Sequence, residues 1–288
     1  MELIIALVPM FAWGSIGLVS GKMGGDANQQ TVGMTIGAFV FSLVVFAVSQ
    51  PTLTTWIIFI GFVSGLFWVV GQNGQFHAMQ YMGVSVGLPL STGMQLMLNT
   101  VAGAIFFHEW TGARDYGLGI LALILLVIGA YLTSRRDPEN NLQSGNKMLD
   151  FAKGFRALII STLGYGVYTI LITWADLDPM AIILPQSVGM LAGALLFTLG
   201  KIQYNKFVWR NTTSGLLWGI GNACMLLTIQ VVGLAVGFSL SQMGIIISTL
   251  GGIFLLGERK TKKEMIYVIL GCLFVIFGGI LLGYMKAS

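Results

Sequence analysis

Residues 213–256 contain no charged side chain. As one straight helix that stretch would run about 66 Å, twice the ~30 Å hydrocarbon core of a bilayer. It has to double back, and Gly233 is where a turn is expected. Residues 56–107 pose the same problem, with the turn expected near Gly83. In water such a chain would fail: 15 Lys+Arg and 11 Asp+Glu make it 9% charged, against roughly 25% for a soluble domain. That is too few to cover its surface. A soluble enzyme, a nucleic-acid binder and a disordered chain are excluded. The pattern predicts an all-α integral membrane protein.

Ten segments of spanning length can be marked: 3–21, 31–49, 56–79, 84–107, 116–133, 155–174, 180–199, 213–232, 234–256 and 265–284. No basic region precedes the first, which also contains Pro9 and Trp13, so we expect a span there rather than a signal peptide. Thirteen of the fifteen Lys and Arg fall in loops after odd-numbered spans; only Arg114 and Lys286 fall on the other side. Positive charge is retained in the cytoplasm, which predicts cytoplasmic odd loops and both termini outside the cell membrane. Residues 135–153 read as a cytoplasmic linker between a first half, 1–134, and a second, 154–288. Cys224 and Cys272 lie in apolar segments and read as packing residues, with no metal or cofactor in view.

The halves match at an offset of 150. Ser64, Gly65, Leu66, Trp68, Gly71, Gln80, Gly83, Val86, Gly87, Leu90 and Ser91 recur as Ser214, Gly215, Leu216, Trp218, Gly221, Gln230, Gly233, Val236, Gly237, Leu240 and Ser241. After a one-residue gap, Thr100, Gly103 and Glu109 recur as Thr249, Gly252 and Glu258. Five spans per half turn the second half upside down relative to the first. Ten transmembrane helices in two inverted five-helix repeats are the architecture of secondary transporters, which bind substrate near the midplane.

Each half places a Glu just after its fourth span, in His108-Glu109 and Gly257-Glu258-Arg259, followed by a Gly-rich fifth span. In this the chain resembles the drug/metabolite transporter superfamily. The strings MELIIALVPMFAWGSIGLVSGKMGG, GQNGQFHAMQYMGVSVGLPLSTGMQL and GERKTKKEMIYVILG resemble the bacterial glucose uptake permeases of its glucose/ribose porter branch, and the likeness runs over essentially the whole chain. The resemblance implies glucose uptake. An exporter of amino acids, drugs or other small metabolites on the same fold is the alternative that the residues leave open.

A sugar pathway needs uncharged hydrogen-bonding groups and aromatic faces. Trp68, Gln72 and Gln75 share one face of the third span, with Asn73 beside it; Trp218 and Asn222 repeat the i, i+4 pair on the eighth. Gln95 and Asn99 pair on the fourth, Gln242 lies on the ninth and Gln186 follows Pro185 on the seventh. Trp13 and Ser15 on the first span correspond to Tyr165 and the nearby Tyr168 on the sixth. These are the candidate substrate-binding residues, although a membrane amide can equally tie two helices together. Trp56, Trp110 and Trp209 stand at span ends, as interfacial residues do. The glycine pairs spaced by four, such as 61/65, 189/193 and 215/219, fit close helix packing.

No catalytic constellation is present. Gly83-Val-Ser85-Val-Gly87 satisfies GxSxG, but at a membrane hairpin rather than a strand-to-helix elbow, and no phosphate-binding loop motif occurs. The run from Glu258 to Glu264 reads as a topology signal against anionic lipid. Glucose permeases of this kind are commonly described as proton-linked, yet none of the carboxylates Glu2, Asp26, Glu109, Asp176, Asp178 and Glu258 lies well inside a span. Facilitated or loosely proton-linked movement is therefore expected, with His77, Glu109 and Glu258 as the candidates for any coupling.

Overall fold

The computed structural model of the chain describes residues 2–108, 110, 112–135, 137, 149–232, 241, 244–258 and 260–287. Every regular element among them is an α-helix, as hydrocarbon demands, because a helix satisfies its own backbone polar groups. In chain order these are α1 (Glu2–Met23), α2 (Ala27–Ser49), α3 (Thr55–Met82), α4 (Val84–Phe106), α5 (Ala113–Ser134), α6 (Phe151–Ala175), α7 (Pro179–Thr198), α8 (Lys206–Arg210), α9 (Thr212–Val232), α10 (Gly244–Phe254) and α11 (Lys262–Ala287). Six are long and apolar enough to cross a membrane: α2, α3, α5, α6, α7 and α11. The protein is multi-pass.

The helix ends follow local chemistry. Asp26 closes a capping box with Gln29 at the start of α2, Thr54 caps α3 through Ile57, and Asp178 precedes Pro179 at the start of α7. These devices satisfy backbone N–H groups that have no partner within the helix. The expected turn near Gly83 is present: this single residue, at φ +86°, separates α3 from α4. The turn expected near Gly233 lies outside the described residues. The short α8 was not anticipated. Asn205 starts it by accepting the Phe207 N–H. The buried Asn211 ends it and donates to Gly24 O at 3.0 Å, pinning this loop to the α1–α2 turn.

Packing is dominated by α3 against α6 and α7, α9 against α1 and α2, α2 against α7, and α5 against α11; α4 touches α5, α6 and α10, and α10 touches α1. The closest approaches use the glycines. A Cβ on Gly65 would stand 2.1 Å from Gln186 O, and one on Gly215 would stand 2.0 Å from Met34 O. Backbones this close gain dispersion contacts that no larger residue permits. Trp56 and Trp209 are exposed at helix ends, whereas Trp110 packs on Gly119 and Tyr116 of α5.

Candidate functional site

The middle of α3 carries the centre of a buried, uncharged polar cluster. Trp68, Gln72 and Gln75 fall on one side of the helix because residues four and seven apart nearly superpose in projection. From α6, the Tyr165 hydroxyl donates to Gln72 Oε1 at 2.7 Å. Gln72 Nε2 donates to Gln75 Oε1 at 3.2 Å, and Gln75 Nε2 donates to Ser91 Oγ on α4 at 2.9 Å. The same hydroxyl oxygen accepts Gln95 Nε2 at 3.0 Å. One chain of hydrogen bonds thus crosses α6, α3 and α4. Each link is worth about 0.6–2 kcal/mol in a membrane.

Aromatic rings wall this chain. Trp68 meets Trp218 of α9 edge to face, with centroids 5.2 Å apart, and Tyr165 at 6.1 Å. Trp13 of α1 lies against Gly221 and directs its indole N–H at Trp218 O, 3.5 Å away. Neutral donors and acceptors beside ring faces suit a polyhydroxy solute, whose hydroxyls hydrogen-bond while its C–H surface stacks.

The remaining candidates distribute around this centre. Tyr168 packs against the same core beside Gln186. Gln186 is 2% exposed, and among the described residues Asn99 Oδ1 and Thr162 Oγ1 are buried without a hydrogen-bond partner. Buried polar atoms are normally paired with protein or water, so these two can take a ligand or a water. Ser15 and Asn222 are half-buried; among the described residues no hydrogen bond engages either. Asn73 turns away from the cluster and ties α3 to α2, donating to Asn28 Oδ1 and Thr31 Oγ1, both at 3.0 Å. Glu109 and Gln242 lie outside the described residues. Ser91, named above only for the internal match, and Thr162 are not among the candidate binding residues. The spacing of Ser91 four before Gln95 was a usable signal; nothing in the sequence marks Thr162.

The described ionisable candidates, His77 and Glu258, sit elsewhere. His77 stacks on Tyr81 at 6.1 Å, on the opposite side of α3 from Gln72. Glu258 reaches across to the start of α4, accepting the backbone N–H groups of Val84 and Ser85 and the Ser85 hydroxyl. Glu264, read as part of a lipid-facing run, is instead 2% exposed and accepts the N–H groups of Asp137 and Thr261. It folds inward because the start of α11 needs an acceptor, and its own N–H is held by Thr261 Oγ1 at 3.1 Å. Among the described residues no cluster of His, Cys, Asp or Glu could hold a metal ion.

Residues 4–285 match the model of a family described as "Sugar transport protein". A protein of Enterococcus faecalis named for sugar uptake is 69% identical over 287 residues, covering all of both chains. Similarly named proteins of Lactiplantibacillus plantarum and Lactococcus lactis are 51% and 50% identical; the alignments cover all of both chains in the first case, and 99% of this chain and 98% of the relative in the second. A crystal structure at 14% identity superposes with a TM-score of 0.63 over 98% of each chain, a likeness of fold.

Proposed function

The chain belongs to the sugar transport protein family, and on that premise we propose that it takes up glucose by alternating access, with the buried cluster around Trp68, Gln72 and Trp218 as its sugar site. A transporter of this family is not an enzyme. The observation that carries the choice of site is the contact between Trp68 and Trp218. They occupy equivalent positions of the two halves, and residues related by a two-fold repeat touch only near its axis.

In this reading α1 to α5 and α6, α7, α9, α10 and α11 are ten spans in two inverted repeats. Exchanging each helix for its counterpart supports it. The α3–α6 contact becomes α9–α1, α3–α7 becomes α9–α2, and α4–α6 becomes α10–α1, while α2–α7 and α5–α11 map onto themselves; all are packed pairs. The cytoplasmic linker and external termini follow from the Lys and Arg distribution.

The halves are specialised. Of the two repeat-related pairs that join the halves, Tyr165 and Gln72 bind each other; the counterparts Ser15 and Asn222 are shorter. A sugar hydroxyl between Ser15 and Asn222 would supply the bridge that Tyr165 supplies directly. Asn99 and Thr162 have buried atoms to offer further hydroxyls. Among its described residues the cluster contains no carboxylate, and in this reading the sugar moves down its gradient or with loose proton linkage. Labelled glucose counterflow into proteoliposomes tests this. Exchange competed by unlabelled glucose, with little accumulation under an imposed pH gradient, is the expected result. No exchange by correctly inserted protein would overturn the substrate assignment, and strong pH-driven accumulation would overturn the uncoupled mechanism.

A further inference from the structure

A cavity of about 370 Å³ lies away from the polar cluster, between α3, α6 and the end of α7. On α3 it is lined by Val70, Asn73, Gly74, His77 and Tyr81. At 100° per residue that face lies about 170° around the helix from Trp68, Gln72 and Gln75. The two sides of α3 therefore do separate work.

The lining divides along the helix axes. Lys153 and Arg156, in the first two turns of α6, stand with His77 and Tyr81 at one end; Val70, Ile160 and Phe197 form the apolar remainder. Ile160 and Phe197 are half exposed, on a surface that in a membrane meets acyl chains. Among the described residues no carboxylate lines the cavity, and two stand close by. Asp150 pairs with Lys153 at 3.1 Å, and the Lys153 backbone N–H holds its carboxyl below the usual carboxylate range. Asp26 lies near His77 and accepts the Gln29 N–H.

We infer that this cavity binds the phosphate headgroup of an anionic phospholipid, with Lys153, Arg156 and Tyr81 on the phosphate and an acyl chain along Val70, Ile160 and Phe197. A basic pocket between transmembrane helices is built for such a headgroup. The apolar wall selects a lipid over a soluble phosphate ester, which would leave that wall in contact with nothing. Lys and Arg at this depth reach the headgroup level with their charged ends while their stems cover apolar surface.

The test uses the full chain in nanodiscs of equal phosphatidylglycerol and phosphatidylcholine, with retained lipid counted by native mass spectrometry. Wild type should keep phosphatidylglycerol preferentially. Lys153→Gln and Arg156→Gln should each lower that preference about fivefold. Phe197→Ser, which changes no charge, should lower retention as well. The double control Lys206→Gln with Arg210→Gln removes two charges from α8, one more than either variant, and should leave retention unchanged, as should excess inorganic phosphate or glycerol phosphate. Unchanged retention in the properly folded Lys153 and Arg156 variants overturns the proposal. An equal loss in the α8 control overturns it too, by assigning the effect to bulk charge, and displacement by a soluble phosphate would make this a soluble-anion site instead.

Discussion

Glu258 is the residue whose loss the structure prices most directly. The first N–H groups of α4 have no acceptor within the helix, and Gly83 offers no side chain to cap them. Glu258 fills that place, taking two backbone N–H groups and the Ser85 hydroxyl, with its charge at the positive end of the helix dipole. A hydrogen bond to a charged group is worth about 1.5–3 kcal/mol. Because Glu258 is only half-buried, water replaces part of that in a variant, so Glu258→Ala should cost about 3–4 kcal/mol rather than the full sum. Ser85→Ala removes one of the three bonds and should cost about 1–2 kcal/mol. The two share an interaction, so the double variant should cost less than their sum by about 1.5 kcal/mol. Equilibrium unfolding by SDS in mixed micelles measures all four corners of the cycle. Additivity to within about 0.5 kcal/mol would refute the bond between Ser85 and Glu258, and a Glu258→Ala cost under about 0.5 kcal/mol would refute the cap. Glu258→Gln, which keeps one acceptor oxygen, should recover roughly half of the loss.

Three further outcomes are expected. Trp68→Ala, Gln72→Ala, Trp218→Ala and Asn222→Ala should each weaken glucose binding, by roughly 5- to 150-fold where a buried group is left unpaired; equilibrium binding to purified, correctly inserted protein reads this, and four wild-type affinities would remove the site. Gly65→Val puts a Cβ 2.1 Å from Gln186 O and should destabilise by more than about 3 kcal/mol, whereas Gly117→Ala meets nothing within 4 Å and should stabilise by about 0.5–1 kcal/mol; thermal unfolding in detergent separates them. A tag in the 135–153 linker should be protected in intact cells and one after Ser288 reachable from outside, and the reverse labelling would invert the orientation.

The cluster itself was only partly legible before the fold was known. The i, i+4 spacing put Trp68 and Gln72 on one face, and the internal match paired Trp68 with Trp218. Neither says that the two rings touch. Asn73 shows the limit: it was grouped with Gln72 and Gln75, yet it faces α2 and binds Asn28 and Thr31. A single residue turns the helix by about 100°, so an adjacent position belongs to a different neighbour. Glu264 shows the same limit in a charged run, where one of several similar residues turned inward to serve a helix start.

Membrane residence, helical class and the turn at Gly83 were determined by the sequence alone. They depend on the length of apolar runs against a bilayer of known thickness and on backbone groups that must bond locally. Tertiary structure alone decided which helices pair, and therefore that Gln72 finds Tyr165, that Glu258 caps α4 and that His77 lines a separate basic cavity. Each of these contacts joins residues about seventy to a hundred and seventy positions apart. Helix period states which residues share a face; only packing between helices states what that face meets.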